Sequence, residues 1–511
     1  MGTSALNNTR IAKNTLLLYI RTIIVLFVSL YTSRLILKAL GAEDLGIHNV
    51  VGGVVVLMSF FKSSLAKATS RFITYELGLN SDEKTIKKVF SASVTIHIMI
   101  MLLLLLLGET AGIWILNHWI SVPEARQDAA FWVFQFSLAT FCINVLLVPF
   151  NAVIIAHENM KVYAYMAILE VLLQLGLVLF LLRYEGDRLI LYGALLSVVA
   201  LVSFLCYWFY VRLKYPIYRF MGLTWDSDYS KRILVFSGWT MLGASADVAT
   251  QQGVSLLFNN FVGLVANASL GFANQVNNAV GRFVRNFATS FNPQIIKLCA
   301  QKEYALMHLL MKRASKFSFA LFYVMALPLI FNTDFVMDLW LGDVPQYAVQ
   351  FCQLILMCSI IDATTSVLNT TMTATGRIRG YQIGISISFL LDLVCAFVLF
   401  SLHINAVLVF ASRIVTRGII NMFIGLYFVR KETGFSVRKY VKEVLLPISL
   451  VILTSVPIMI VICRLLQGWA CLLVSTVFSM AFVGSMTLFV IMNHAERQSV
   501  LQMVKNKLSI K

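Results

Sequence analysis

The chain has 511 residues, 59% of them hydrophobic and 13% charged, with a net charge of +17. An ordinary soluble domain carries about 25% charged residues, so this composition excludes a string of soluble domains. The positive charge does not indicate nucleic acid, because no compact basic domain carries it. Lys and Arg instead collect in the cytoplasmic loops of membrane proteins.

The N-terminal MGTSALNNTR has no apolar core of its own, so the first apolar run reads as a retained span and not a cleaved leader. Fourteen apolar segments of spanning length follow. They cover 14–37, 45–66, 89–116, 130–155, 163–182, 189–211, 233–258, 264–290, 313–332, 347–374, 380–401, 404–428, 444–463 and 469–492. Open sheet edges cannot face lipid, so the expected fold is an all-α polytopic membrane protein of about 14 transmembrane helices. With the N-terminus inside, 32 of the 41 Lys and Arg fall in inner segments and 5 in outer ones. That asymmetry predicts cytoplasmic N- and C-termini. The remaining four cations, Arg21, Arg34, Arg413 and Arg417, lie inside spans.

The chain echoes itself. ALGAEDLG (39–46) recurs as LVANASLG (264–271), an offset of 225, and HENMKVYAY (157–165) resembles TGRIRGYQI (375–383). In the second echo Lys161 aligns with Arg379 and Tyr163 with Tyr381. The predicted organisation is two six-helix lobes in parallel pseudo-repeat, 1–213 and 233–430. A basic amphipathic linker (214–232) joins them, and 431–511 adds two helices and a cytoplasmic tail. Parallel repeats are a transporter signature, with the site expected between the halves.

Polar residues fall in helical stripes. Span 8 carries Asn267, Asn274, Asn278, Arg282, Arg285 and Thr289 at steps of 7, 4, 4, 3 and 4. Span 7 carries Thr240, Asp247, Gln251 and Ser255, and span 10 carries Cys358, Asp362, Ser366 (or Thr365), Asn369 and Thr373. Such stripes face protein or water. Interhelical hydrogen bonding accounts for lone Asn and Thr residues. It accounts less well for Arg21, Asp247, Arg282 and Arg285, which the repeat places toward a central cleft. At the 225 offset Arg21 aligns one residue from Asp247, which makes the two candidate neighbours. Arg413 and Arg417 share a face of span 12 and are expected to pair with Asp392 or Asp362. Glu170, Asp247 and Asp362 are the candidates for coupling to a proton or sodium gradient. Lys62, Lys67 and Arg71 close the cytoplasmic end of span 2.

The eight cysteines contain no CxxC pair and mostly lie in apolar runs, so they read as small apolar residues, not a metal site or disulfide framework. No GxxxxGK[ST], HExxH or GxSxG occurs. No cofactor and no metal is expected, and the outer loops are too short for a catalytic domain.

The stretch LILKALGAEDLGIHNVVGGVVVLMSFFKSSLAKATSRFITYELG (35–78) resembles the Wzx-type polysaccharide flippases of the multidrug/oligosaccharidyl-lipid/polysaccharide (MOP) superfamily. The shared features are the first-hairpin LGxxxLG, a glycine-containing second span, the closing SRFI, and the fourteen-span layout with its basic linker. The resemblance implies a two-lobed, alternating-access transporter in the bacterial inner membrane. Its substrate would be an undecaprenyl-diphosphate-linked oligosaccharide, passed on to a polymerase for O-antigen, capsule or exopolysaccharide. It implies a cationic cavity, which Arg21, Arg282, Arg285 and Lys62 fit as diphosphate ligands, with sugars among Asn274, Asn278 and Gln251. Arginine stays charged in low dielectric and binds two phosphate oxygens at once, which would justify its insertion cost. Thr22 follows Arg21 where the lipid II flippase branch tends to have Asp, which argues against that branch. Two alternatives stand beside this: an ion-coupled multidrug exporter of the same superfamily, and a membrane enzyme of polysaccharide assembly.

Overall fold

The computed structural model describes residues 2–56, 58–119, 122–219, 226–492 and 497–498. The middle of the predicted linker (220–225) and most of the tail beyond 492 lie outside the described residues. The described chain is helical, and twelve helices are long and apolar enough to cross a membrane. The protein is a multi-pass membrane protein.

The elements run α1 Gly2–Val56 and α2 Ser59–Gly78, then α3 Glu83–Trp119, α4 Glu124–Ala156, α5 Met160–Leu181 and α6 Arg188–Lys214. They continue with α7 Ser227–Phe261, α8 Leu264–Ala300, α9 Tyr304–Phe331 and a short α10 Thr333–Leu341. The last five are α11 Ala348–Thr375, α12 Arg379–Ser401, α13 Ala406–Thr433, α14 Val437–Leu465 and α15 Gly468–Ile491. The twelve apolar spans match twelve of the fourteen expected segments. Of the other two, 264–290 falls short in hydropathy, and 45–66 is divided between α1, which ends at Val56, and α2, which begins at Ser59. Segment 264–290 belongs to a 37-residue helix that continues through Pro293 to Ala300. At a rise of 1.5 Å per residue α8 exceeds the roughly 30 Å hydrocarbon core. The second half of the expected linker is taken up by the first turns of α7, where the Tyr229 amide donates to Asp226 Oδ1 at 3.2 Å. That amide, together with Lys88, holds the Asp226 carboxyl below its ordinary range.

The chain divides into two compact units, Ala12–Met241 and Leu242–Lys511, the second including Met1–Ile11, so one boundary lies inside α7. In the first unit α4 packs against α2, α3 and α6, while α2 packs on α3 and α5 on α6. In the second unit α11 packs against α8, α9 and α13, while α8 packs on α9 and α12 on α13. Each of these contacts in one unit has its counterpart in the other. Close glycines tighten the first: a Cβ on Gly108 or Gly112 of α3 would come within 2.6 Å of Leu138 or Phe134 of α4. An aromatic knot tightens the second, where buried Phe258 meets Phe351, Phe400 and Phe410 edge-on at 5.2, 4.9 and 6.0 Å. Helices α14 and α15 are stitched onto α9 by Tyr323 Oη to Ser455 Oγ (2.7 Å) and Ser479 Oγ donating to the Val324 carbonyl (2.8 Å).

The repeat is also written in the backbone. Gly41 breaks α1 at φ +77°, ψ 174°, and Gly263 opens α8 at φ +111°, ψ 175°. Only glycine adopts this region readily. The two breaks are 222 residues apart, not the 225 expected from the sequence echo, so the counterpart of Arg21 is Gly243 and not Ala246. The second echo keeps its register: Glu158 (φ +56°) and Gly376 (φ +76°) are left-handed at equivalent places. No atom lies within 4 Å of a Cβ built on Gly41 or Gly263, so replacing either strains backbone alone. Gly41→Ala and Gly263→Ala should each cost about 1–3 kcal/mol, read as a lowered melting temperature of the purified full chain.

Candidate functional site

Within the second unit the polar stripes converge on a cavity of about 490 Å³. Asp247, Gln251 and Ser255 of α7 stand one turn apart along one wall. Asn267, Asn274 and Asn278 of α8 form the next wall, and Ser255 Oγ donates to Asn267 Oδ1 at 2.5 Å. Cys358 and Asp362 come from α11, and Arg413 and Arg417 from α13. Asn274, Asn278 and Gln251, spread over 28 residues of sequence, therefore share one cavity with Asp247 and Asp362. The lining residues Gln252, Asn277 and Ser359 were missed, because each stands one residue off the stripe used to find the others.

The arginines of α13 are neutralised within the bundle. Arg413 Nε donates to Asp392 Oδ2 at 3.1 Å, and Thr416 Oγ1 donates to Asp392 Oδ1 at 2.7 Å. Asp392 is fully buried, so both of its oxygens are satisfied without water. Arg417 pairs with Asp247 and lies over the Phe389 ring, 4.6 Å from its centre. Of the alternatives open in the sequence, Arg413 takes Asp392, while Arg417 takes Asp247, a residue expected near Arg21. One helical turn, Ile414–Ile419, is wider than an α-helix. The Thr416 carbonyl within it accepts a hydrogen bond from Ser388 Oγ at 2.6 Å, so the widened turn is tied to α12. Asp362 makes no ion pair within 4.0 Å among the described residues, though Arg417, Arg413 and Asp247 act on it electrostatically. The cavity thus holds two carboxylates and two guanidinium groups, with only one direct pair between them.

Arg282 and Arg285 lie further along α8 and are not part of the cavity wall. Both are exposed, and they repel each other. The Arg285 guanidinium donates to the Asn278 carbonyl at 3.2 Å. The other candidates belong to the first unit. There Glu170 of α5 is attracted by Lys62 of α2 and Arg21 of α1, and Arg21 stacks 5.1 Å from the centre of the Tyr163 ring. Arg71 of α2 is buried between aromatic rings, 4.6 Å from Phe72 and 4.3 Å from Tyr75.

No known family's sequence profile matches the chain, and no curated protein does. Solved structures do match. A multidrug resistance MATE family transporter of the MOP superfamily, in an outward-facing conformation, has 13% identity and a TM-score of 0.71, covering 85% of this chain and 98% of its own. A MOP superfamily transporter from Pyrococcus furiosus has 13% identity and a TM-score of 0.73, covering 84% and 96%. A mutant Vibrio cholerae MATE transporter has 15% identity and a TM-score of 0.64, covering 83% and 97%. At these identities the likeness is one of fold: the chain is built like solved MATE transporters.

Removing one member of the buried α12–α13 pair leaves an unpaired charge. Arg413→Ala or Asp392→Ala should each destabilise by about 3–5 kcal/mol. The double variant should lose less than the sum, and a double-mutant cycle on thermal unfolding in detergent measures the difference.

Proposed function

We propose that the protein is a membrane transporter, acting in the bacterial inner membrane by alternating access with both termini cytoplasmic. The observation that carries this reading is the polar 490 Å³ cavity inside an apolar helical bundle whose fold follows solved transporters over most of both chains. Likeness alone supports multidrug export better than flipping of a lipid-linked oligosaccharide, because the neighbours named above include a multidrug resistance MATE transporter. The Pyrococcus furiosus neighbour, whose reverse-polarity binding pocket is described as suggesting a different function, supports treating pocket chemistry separately from fold.

That chemistry favours a second reading, the flipping of undecaprenyl-diphosphate-linked oligosaccharide for delivery to a polymerase. Its support is Arg282 and Arg285, two exposed like charges one turn apart, neither with a carboxylate within 4.0 Å among the described residues. They offer bidentate contacts to a diphosphate; in the first unit Arg21 carries the same fork and Lys62 a compact positive charge. The amides of Gln251, Asn274 and Asn278 both donate and accept, as sugar hydroxyls require. For energy coupling Asp362 is the leading carboxylate, because Asp247 is already held by Arg417 and Glu170 is flanked by two cations.

Deleting the gene separates the readings. Mass spectrometry of membrane lipids should find one complete diphosphate-linked repeat unit accumulating if the second reading holds. A normal lipid pool with new sensitivity to organic cations supports the first. Each arginine contact to a diphosphate contributes about 1.5–3 kcal/mol. On the second reading, Arg282→Ala and Arg285→Ala should therefore each weaken substrate binding by roughly ten- to hundredfold, with Lys retaining part of it. Asp362→Asn should abolish the dependence of transport on the ion gradient while substrate binding persists, measured in reconstituted vesicles with and without an imposed proton or sodium gradient.

A further inference from the structure

Two of the eight cysteines meet. Cys463 lies two residues before the end of α14 and Cys471 three residues after the start of α15. Their sulfurs are 3.0 Å apart. The connection between the helices is short and tightly shaped: Leu466 and Gln467 are extended, and Gly468 takes φ +57° to begin α15. That hairpin sets the two helix ends side by side. Cys471 is 4% exposed and Cys463 is half-buried, so the pair sits at the rim of the bundle. The Trp469 ring packs edge-on against Phe335 of α10 at 5.4 Å, which seats the turn on a neighbouring helix. On the orientation proposed above, on which this inference rests, the turn lies on the outer side of the membrane, where disulfides persist. Closing an S–S bond of about 2.05 Å from this arrangement needs a sulfur movement of about 1 Å.

We propose that Cys463 and Cys471 form a disulfide in the mature protein and so lock the α14–α15 hairpin. The bond forms by exchange with a disulfide-carrying oxidant on the outer side. One cysteine loses its proton, and the thiolate attacks a sulfur of the oxidant, giving a mixed disulfide and releasing one thiolate. The second cysteine, as thiolate, attacks the sulfur of the first. The Cys463–Cys471 bond forms and the second thiolate of the oxidant leaves. Two protons and two electrons leave the protein, and the oxidant departs as a dithiol. The lock fastens helices that pack on α9, outside the repeated five-helix packing shared by the two units.

The test uses the full chain in native membranes, quenched in acid and alkylated with N-ethylmaleimide before any reduction. Trypsin cuts after Arg464, which puts the two cysteines on different peptides. Mass spectrometry should find those peptides joined, 2 Da lighter than the pair of thiols, and separated by a reductant. The joined species should vanish in Cys463→Ser and in Cys471→Ser. Reduction should also lower the melting temperature of the wild-type chain but not of the double serine variant. Maleimide on both sulfurs before reduction would overturn the proposal, and so would an equal shift in the double variant.

Discussion

A charge inside a bilayer has to be paired or wet, and most of this structure follows from how four arginines meet that requirement. Arg413 meets it with Asp392, both of whose oxygens are engaged out of reach of water. Arg417 meets it with Asp247 and a stacked phenyl ring, at the edge of a cavity that water can enter. Arg21 lies beside Tyr163 and within the field of Glu170. Arg34 stands near the end of the first apolar run, where a long side chain reaches the interface. Each solution fixes which helices must be neighbours. The pairing of Arg413 with Asp392 binds α13 to α12, and that of Arg417 with Asp247 binds α13 to α7.

The two units solve the same packing problem with different chemistry. Both rest on a central helix, α4 or α11, that touches the same three relatives. The first unit closes α3 on α4 through glycines that leave no room for a Cβ. The second closes around Phe258. The described cavity and its amide lining belong to the second unit, where Asn and Gln line the walls. A duplicated scaffold keeps its contacts because they are set by shape. Its polar content is free to diverge, because a stripe of amides and a stripe of leucines follow the same helical period.

Periodicity made much of this legible. It identified the helices and also the face of each that is polar, so Gln251, Asn274, Asn278, Asp247 and Asp362 were recognisable before any coordinates. What a period does not say is which helix stands opposite. The repeat register shows the limit: the echo matches Gly46 to Gly271, an offset of 225, while the backbone equates Gly41 with Gly263, an offset of 222. The glycine-only conformation, and not the letter pattern, sets the true alignment. Segment 45–66 read as one span because nothing in its composition marks the division between α1 and α2. The 3.0 Å approach of Cys463 and Cys471 left no trace either, because an eight-residue spacing across a turn is not a recognised pairing motif.

The polarity of α8 has a consequence for how the chain is made. Its asparagines and arginines keep it out of the set of helices apolar enough to span. A segment enters lipid from the translocation channel by itself only when its own partitioning is favourable. Helix α8 does not meet that condition. Its packing partners α9 and α11 are both synthesised after it. Integration of this part of the chain therefore cannot proceed strictly in chain order. The polar helix has to wait in the channel, or at the membrane surface, until the ribosome has delivered the neighbours that give it somewhere to go.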